Sequence, residues 1–376
     1  MKRFDLAVIG AGISGCTLLA HLQQRGFQGT VALVEAGRGP GGRTATRQRR
    51  QVPGWRLDHG APGFNLTTPT SAALEPVLAP LRAKGIVRRE WGTIAGLDEQ
   101  GCLVEPPGME VLEGEWLRGH PTMASVCEGL LELASPQIHR HFGCRVRHLK
   151  RVHDGWWLLD EQSQQVLSAR RLVLSGTLLA HPRSLAMLAW QDVPLREAVP
   201  AGHDPQLDAV LNTLSMSTGS VRWNLMVQFD NAAQQQIPRQ IWLTAKAQQQ
   251  WQVERLVVQP QTGAGVGLVV HGLHDGSSIT ADRQPGLLAQ QQQRLSNLLP
   301  HLIDQIPGLK ESDAKVLGLM RWGAAQPLDH PLARELQWCP ISEIGFCGDW
   351  IEGPGFGRAE GALTSAVALA DRLVKA

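Results

Sequence analysis

The first part of the chain alternates between short apolar runs and segments of helical spacing. The apolar run at 4–9 predicts a buried strand, residues 14–25 predict a helix, and residues 30–35 predict a second strand. Short apolar runs on either side of a helix are typical of a strand–helix–strand unit with parallel strands. The chain is therefore predicted to open on an α/β domain built around a parallel sheet.

Further along, the same patterns predict a mixture of helices and strands. Apolar positions three or four residues apart favour helices, and apolar β-branched runs favour strands. A segment rich in Gly, Arg and Pro, at 36–63, is predicted to be loop. The predicted helices are 70–84, 121–134, 287–304 and 359–374, and the predicted strands are 143–149, 155–159, 165–174, 221–229, 265–271 and 344–347.

Composition narrows the class of protein. The 376 residues are 43% hydrophobic and carry a net charge of +2, which indicates a globular chain of about two domains and speaks against bulk nucleic-acid binding. The N-terminal apolar run is interrupted by glycines and no other run could span a bilayer, so neither a signal peptide nor membrane attachment is expected. The six Cys include no C-x-x-C pair, which predicts no metal site and thiols in a reducing, cytoplasmic compartment. Gln-rich runs at 234–236, 248–250 and 290–293 are predicted to be solvated surface.

The turn after the first predicted strand carries the pattern Gly10-x-Gly12-x-x-Gly15. In such a turn the first glycine permits a tight bend, the second lets the backbone approach a pyrophosphate, and the third lets the helix pack closely. The helix N-terminus then offers N–H donors to the phosphates. Glu35, at the end of the second predicted strand, is placed to accept hydrogen bonds from a ribose diol, which favours FAD or NAD.

Three further segments favour FAD over NAD. Residues 36–47, AGRGPGGRTATR, add a second glycine-rich stretch that a plain dehydrogenase does not need, and residues 58–61 read DHGA. Flavoproteins of the amine-oxidase type carry both patterns beside the flavin nucleotide, with the arginine near the diphosphate. In residues 345–362 a strand is predicted to end at Asp349, where such flavoproteins bind a ribityl hydroxyl, and the next helix would direct its positive end at the flavin.

The cofactor is therefore predicted to be FAD, and it is expected to be noncovalent because Cys347 lies on a predicted buried strand. The candidate cofactor-binding residues are Gly10, Gly12, Ile13, Ser14, Gly15, Glu35, Ala36, Gly41, Gly42, Arg43, Thr44, His59, Gly60, Ala61, Gly348, Asp349, Glu360, Gly361 and Ala362. A second nucleotide-binding turn at Gly265-x-Gly267 is rejected, because Val270 stands where the third glycine would be and the segment precedes a strand.

Together these motifs resemble those of the renalase-like flavoproteins within the amine-oxidase superfamily. Beyond the N-terminal stretch, Trp116–Val126, Gly267–Ser278 and Leu319–Pro327 are similar to segments of that family, with Thr122 in place of a Gly and Gly276 in place of a Trp. The matching positions are Pro121, Met123, Ser125, His271, Ser277, Arg321, Trp322, Ala325 and Pro327.

The resemblance implies a Rossmann-type FAD domain interleaved with an antiparallel-sheet substrate domain, as in p-hydroxybenzoate hydroxylase and the amine oxidases. The predicted FAD domain comprises 1–70, 116–180 and 318–376, and the substrate domain comprises 71–115 and 181–317. The implied activity is oxidation of 2- or 6-dihydro isomers of NAD(P)H to NAD(P)+, with oxygen or a quinone as the final electron acceptor. The implied partner is a small nicotinamide nucleotide, with no nucleic acid or membrane, and the protein would be a monomer or homodimer.

Hydride transfer to a flavin depends mainly on positioning and needs no dedicated base. The candidate catalytic residues are His271 over the flavin, Trp322 as a substrate wall and Arg321 as a phosphate contact; Trp223 and Asn224 are weaker candidates on the strand at 221–229. An amine oxidase, a desaturase-type enzyme and a non-catalytic FAD-binding assembly or regulatory protein remain alternatives. The lack of Tyr counts against an amine oxidase, since those enzymes often use Tyr in an aromatic frame around the amine.

Overall fold

The computed structural model describes most of the chain. The described residues are 3–49, 51–89, 93–108, 113–230, 232, 237–261, 265–276 and 279–375. The Gln-rich run at 234–236 and the motif residue Ser277 lie outside them. The other two Gln-rich runs lie on helices and are mostly exposed, as predicted.

Helices and strands alternate through the described residues. The helices are α1 (Ile13–Gln24), α2 (Thr68–Ala83), α3 (Ala124–Leu133), α4 (Leu185–Leu188), α5 (Pro194–Ala198), α6 (Pro205–Met216), α7 (Ala245–Trp251), α8 (Gln284–Ile303) and α9 (Ala359–Lys375). The strands are β1 (Arg3–Ile9), β2 (Val31–Glu35), β3 (Thr46–Gln48), β4 (Arg56–Asp58), β5 (Phe64–Leu66), β6 (Val87–Arg89), β7 (Ile94–Leu97), β8 (Leu103–Val104), β9 (Glu115–Gly119), β10 (His139–Phe142), β11 (His148–Val152), β12 (Gly155–Leu159), β13 (Gln165–Leu174), β14 (Gly219–Phe229), β15 (Gln240–Leu243), β16 (Val253–Pro260), β17 (Val266–Gly272), β18 (Ala314–Pro327), β19 (Trp338–Cys339) and β20 (Ile344–Phe346).

The first large sheet has a parallel centre in the order β10-β2-β1-β13-β20. Beside β13, β12 pairs antiparallel with β13 and β11 pairs antiparallel with β12. Neighbouring residues of its strands point to opposite faces. Val8 and Leu33 pack under α1, α2, α3 and α9, whereas Ala7 and Val34 pack on the other face with β11, β12, α5 and α6. Both faces are covered, which is why the central strands read as continuous apolar runs.

The second large sheet has the order β18-β14-β17-β16-β15-β7-β8 and is antiparallel except where β15 meets β7. One face packs on α7 and α8 through a core that includes Leu225, Leu256 and Val270. The opposite face carries polar and aromatic side chains and is turned toward a cavity. The observed α/β architecture, with a mainly antiparallel second sheet, is the one that the sequence predicts.

Several predicted elements differ from the structure. The strand predicted at 143–149 is β11, which begins only at His148, because a loop opened by a turn at Gly143, with a φ of +69°, follows β10. The predicted loop at 36–63 contains the short hairpin β3–β4. Strand β18 was expected only as a motif, and it is a long edge strand of the second sheet.

Packing also differs from the predicted division of the chain into domains. Helix α2 was placed in the substrate part, but it packs with α1, α3 and α9 on the first sheet. Helices α5 and α6 cover the opposite face of that sheet. The part of the segment 318–376 that lies before residue 328 belongs to β18 and therefore to the second sheet. Among the described residues, none of the helices has both the length and the apolarity needed to cross a bilayer.

Candidate functional site

A continuous cavity of about 1260 Å³ lies between the two large sheets. It reaches from the turn between β1 and α1 to the polar face of the second sheet. Ordinary small-molecule pockets measure roughly 300–1,000 Å³, so this one has room for more than a small ligand. The predicted residues that line it are Gly10, Gly12, Ile13, Ser14, Glu35, Ala36, Gly41, Gly42, Arg43, Thr44, Gly60, Ala61, Asn224, His271, Trp322, Asp349 and Ala362.

The three glycines of the first turn occupy different environments. Gly10 has a φ of +105°, which L side chains rarely adopt, so the sharp bend into α1 requires glycine there. Gly12 has room for a Cβ, which would lie 4.0 Å from the nearest atoms, those of Gly41 and Gly42. Gly15 packs against the preceding strand end, because a Cβ there would overlap the Gly10 carbonyl oxygen. The open space at Gly12 is what a ligand approaching the N-terminus of α1 would need.

Glu35 lies beside this turn and its carboxylate lines the cavity. One oxygen accepts a hydrogen bond from the Ala11 N–H at 2.8 Å and the other accepts one from the Gly37 N–H at 2.6 Å. A carboxylate has about four lone-pair sites, so further acceptor capacity remains for hydroxyl groups. The backbone bonds fix the orientation of the carboxylate at the edge of the cavity.

Arg43 and Asp349 were predicted to contact different parts of the cofactor, and the structure joins them. The guanidinium donates two hydrogen bonds of 2.6 Å to the two carboxylate oxygens and a third, of 3.1 Å, to the Ala325 carbonyl. The Asp349 side chain is only 5% exposed. This bidentate pair fixes both side chains in the cavity wall and links the loop after β2 to the C-terminal segment.

The DHGA segment supports the Arg43 turn. The Ala61 N–H donates to the Arg43 carbonyl at 2.9 Å, and a Cβ on Gly60 would overlap that same oxygen. Asp58 is buried and accepts hydrogen bonds from the Thr46 hydroxyl at 2.6 Å and the Met123 N–H at 3.1 Å. The segment therefore shapes the cavity by close backbone packing.

Some predicted site residues do not line the cavity; these are Gly15, His59, Trp223, Arg321, Gly348, Glu360 and Gly361. Glu360 is fully buried and accepts hydrogen bonds from the Thr67 N–H at 2.7 Å and the Thr67 hydroxyl at 2.8 Å. Arg321 lies over the Trp223 ring at 5.6 Å, and the Trp223 indole donates to Asp275 at 2.8 Å. These side chains support the site from behind instead of forming its surface.

At the far end of the cavity, cross-strand neighbours of the second sheet form a continuous row. Asn224 on β14 is opposite His271 on β17, His271 is opposite Arg255 on β16, and Arg255 is opposite Trp242 on β15. All four line the cavity. Pairing register places them on one face, so residues far apart in the sequence make one polar and aromatic surface.

His271 is a neutral histidine within this row. Burial, followed by the nearby Arg255 and Arg222 charges, holds the pKa of His271 well below its ordinary value. The Asn224 amide donates to the His271 Nδ1 at 3.2 Å and to the His59 carbonyl at 2.9 Å. Because Nδ1 accepts, the network assigns the ring proton to Nε2, which has no hydrogen-bond partner among the described residues.

Trp322 forms a rigid aromatic wall beside His59. The two rings stack with centroids 5.4 Å apart at 17°, and the Trp322 indole donates to the His59 carbonyl at 3.2 Å. Burial, and to a lesser extent the charge of Arg47, lowers the pKa of His59 to about 4. The His59 ring is therefore uncharged at neutral pH and supports Trp322 from behind.

Among the parts of the cavity wall that the sequence analysis did not predict are a glycine-rich loop and a group of charged residues. The loop at 353–357 lines the cavity, and its GPGFG pattern was a visible signal. The charged residues Arg222, Glu254 and Arg255 also line it. Glu254 and Arg255 are adjacent in sequence, and a β-bulge between Val253 and Arg255 brings both to the cavity, which residue alternation does not predict.

Cysteines contribute little to this site. All six cysteines are free thiols. Of these, Cys144 lines the cavity, and its N–H donates to the Glu35 carbonyl at 3.0 Å. Across the described ranges, no group of three or more His, Cys, Asp or Glu side chains could hold a metal ion.

Comparisons with known proteins agree with this geometry. Residues 8–79 match a family model described as an NAD(P)-binding Rossmann-like domain. A 206-residue stretch is 23% identical to the tRNA 5-methylaminomethyl-2-thiouridine biosynthesis bifunctional protein MnmC of Cupriavidus metallidurans, covering 45% of this chain but only 29% of that protein.

Solved structures are similar over the whole chain. A protein of Exiguobacterium sp. 255-15 assigned as a protoporphyrinogen oxidase is 13% identical, with a TM-score of 0.67 over 100% of this chain and 99% of its own. Cyclohexylamine oxidase from Brevibacterium oxydans IH-35A is 13% identical, with a TM-score of 0.66 over 100% of this chain and 99% of its own. Residues 8–79 thus match a Rossmann-like domain, and the chain shares the fold of these oxidases.

Proposed function

We propose that this protein is an FAD-dependent oxidoreductase. The observation that carries the proposal is the continuity of the cavity, which joins the Gly12 turn to the row that contains His271. A dinucleotide bound along the first sheet would extend toward the second, where a small electron donor would meet it. Oxidases with this fold, such as cyclohexylamine oxidase, support the same assignment.

The residues at the nucleotide end fit FAD. Gly12 leaves open space at the N-terminus of α1 for a diphosphate, and the Glu35 carboxylate retains acceptor capacity for a ribose diol. Arg43 and Asp349, joined by their bidentate ion pair, fix the shape of the same wall. FAD, when bound, supplies the centre that accepts a hydride from the donor.

We call the part of the cavity lined by Asn224, His271 and Trp322 the donor end. There the protein contributes positioning and exclusion of water. Trp322 provides a flat wall fixed by its stacking on His59, and the Asn224 amide fixes the ring of His271. Orientation of this kind is worth several kcal/mol of the barrier when the reacting atoms are brought to about 3–3.5 Å. No dedicated base is required, because the donor loses a hydride.

The donor that we favour is a 2- or 6-dihydro isomer of NAD(P)H, with oxygen or a quinone as the final acceptor. The resemblance to the renalase-like flavoproteins supports this choice, since His271 and Trp322 belong to the matching segments and both line the cavity. An amine is the second candidate, because the fold is equally that of cyclohexylamine oxidase. A non-catalytic FAD-binding role is the third.

Anaerobic mixing of the FAD-loaded protein with each donor class separates these candidates. We expect 2- or 6-dihydro-NAD(P) to bleach the long-wavelength flavin band rapidly and ordinary NAD(P)H to bleach it much more slowly. Bleaching by cyclohexylamine or putrescine alone would establish the amine oxidase instead. Flavin that none of these donors reduces would overturn the proposal of an oxidoreductase.

The flavin is expected to be noncovalent. Cys347 does not line the cavity, and burial raises the pKa of its thiol to about 12, so it is a poor nucleophile. Cys144 lies at the nucleotide end beside Glu35, away from the donor end. Acid precipitation should leave the yellow colour in the supernatant, and colour in the pellet would contradict this prediction.

The free thiols suit a reducing compartment, and we place the protein in the cytoplasm.

A further inference from the structure

We propose that the donor end of the cavity recognises an anionic group, a carboxylate or a phosphate, through the paired guanidinium groups of Arg222 and Arg255. The inference rests on the proposed function in so far as it specifies the class of electron donor. The binding site itself is defined by residues of the second sheet, independently of what the flavin does.

The two arginines are assembled around one carboxylate. An Arg222 Nη lies 2.7 Å from the Glu254 Oε2, and the Arg255 Nε lies 3.7 Å from the same oxygen. The side chains of Arg222, Glu254 and Arg255 are only 14–16% exposed, and all three line the cavity. Among the described residues that line this end, two positive charges therefore face a single negative one.

Arg255 has unused hydrogen-bonding capacity. Its guanidinium stacks on the Trp242 ring, 4.5 Å from the centroid, which fixes its plane. Within the described ranges no group accepts a hydrogen bond from it, and its Nε is buried without a partner. A guanidinium has five N–H donors in a fixed fork, which matches the paired oxygens of a carboxylate or phosphate. A bound anion would use these donors.

The neighbours of Arg255 in the row, His271 and Asn224, add no negative charge to offset the excess. His271, between Asn224 and Arg255 in the row, is neutral, and Asn224 is an amide. Burying an uncompensated charge costs several kcal/mol, so the arrangement is most stable when an anion completes it. A protonated amine would meet the same excess of positive charge and would be disfavoured.

The experiment compares how tightly the FAD-loaded protein binds phenyl compounds that differ in charge. Benzoate, phenyl phosphate, benzamide and benzylamine are titrated by calorimetry, with the flavin absorbance recorded in parallel. We expect at least one of the two anions to bind about tenfold or more tightly than benzamide, equivalent to about 1.4 kcal/mol. Preference for benzoate indicates a carboxylate donor, and preference for phenyl phosphate indicates a phosphate donor.

Variants assign the preference to the arginine pair. Arg255→Gln and Arg222→Gln should each reduce the preference for the anion to less than about threefold, equivalent to about 0.6 kcal/mol. Arg255→Lys keeps the positive charge but loses the forked geometry of the guanidinium. Its preference for the anion should lie between those of Arg255→Gln and the wild type. Lys246 lies on α7, beside Glu99, and its side chain is 80% exposed. Lys246→Gln should leave the preference for the anion unchanged.

Two results would overturn the inference. One is benzamide binding as tightly as both anions to the wild-type protein, a comparison that needs no variant to fold. The other is an undiminished preference in both glutamine variants with melting temperatures like that of the wild type. Amines that reduce the flavin while no anion is preferred would refute the anion site and leave the oxidoreductase intact. Preferred binding of an anion, with a flavin that no donor reduces, would refute the oxidoreductase and leave the anion site intact.

Discussion

Replacing Gly12 by alanine is expected to weaken FAD binding by roughly 10- to 100-fold while leaving the FAD-free protein as stable as the wild type. The added Cβ would meet no protein atom nearer than 4.0 Å, and the backbone at Gly12, with φ −77° and ψ −177°, suits alanine. The methyl group would occupy the space that the diphosphate needs. Overpacking of this size costs about 1–3 kcal/mol, which converts to that loss of affinity.

Gly15→Ala is the matched control, three residues away on the same turn. Its Cβ would overlap the Gly10 carbonyl oxygen, a backbone atom that cannot move aside cheaply. This variant should therefore lower the melting temperature of the FAD-free protein, with any loss of FAD following from the damaged fold. Calorimetric melting curves and fluorescence titration with FAD distinguish the two effects. Wild-type affinity for FAD in Gly12→Ala would show that the diphosphate does not approach this turn.

The nucleotide end of the site could be predicted because its signals are local. Gly10, Gly12 and Glu35 lie within one strand–helix–strand unit, where periodicity fixes the elements and the glycine spacing fixes the turn. Each of these residues lines the cavity. Short-range patterns suffice here, since the position of each residue depends on neighbours within about 25 positions in the chain.

The donor end could not be predicted in the same way. Arg222 and Arg255 are brought together by strand register and by a β-bulge, and neither leaves a pattern in a single sequence. Adjacent charges at 254 and 255 look like a solvated surface until the bulge turns both into the cavity. The pair of Arg43 and Asp349 likewise joins positions 306 residues apart.

The sequence motifs also did not show which of their residues line the cavity and which pack behind its wall. Glu360 and Arg321 belong to segments that sequence reasoning assigned to the site, yet Glu360 bonds Thr67 and Arg321 lies over Trp223. Both positions constrain the shape of the site through packing. Only the direction of each side chain, which depends on tertiary packing, reveals which role a residue has.

Acidification from pH 7 to about 4 is expected to destabilise the protein through three buried histidines, His59, His181 and His271. Burial lowers the pKa of His59 and His181 to about 4 and that of His271 well below its ordinary value. Below about pH 6.5 the unfolded chain takes up protons that the folded protein does not, so stability falls as the pH decreases toward 4. Each of the first two shifts corresponds to about 3 kcal/mol. Burial raises the pKa of Asp58, so this one carboxyl binds its proton more readily in the folded protein and offsets part of the loss of stability.

His181→Gln provides the sharpest test, because His181 does not line the cavity. Its ring accepts a hydrogen bond from the Arg183 N–H at 3.0 Å and lies 3.0 Å from the Ser217 carbonyl, contacts that a glutamine amide can partly replace without titrating. Urea unfolding at several pH values between 7.5 and 4.5 should show a smaller loss of stability for this variant. His153→Gln, at an exposed position, should follow the wild type. Equal losses in all three proteins would mean that His181 is protonated as easily in the folded protein as in the unfolded chain.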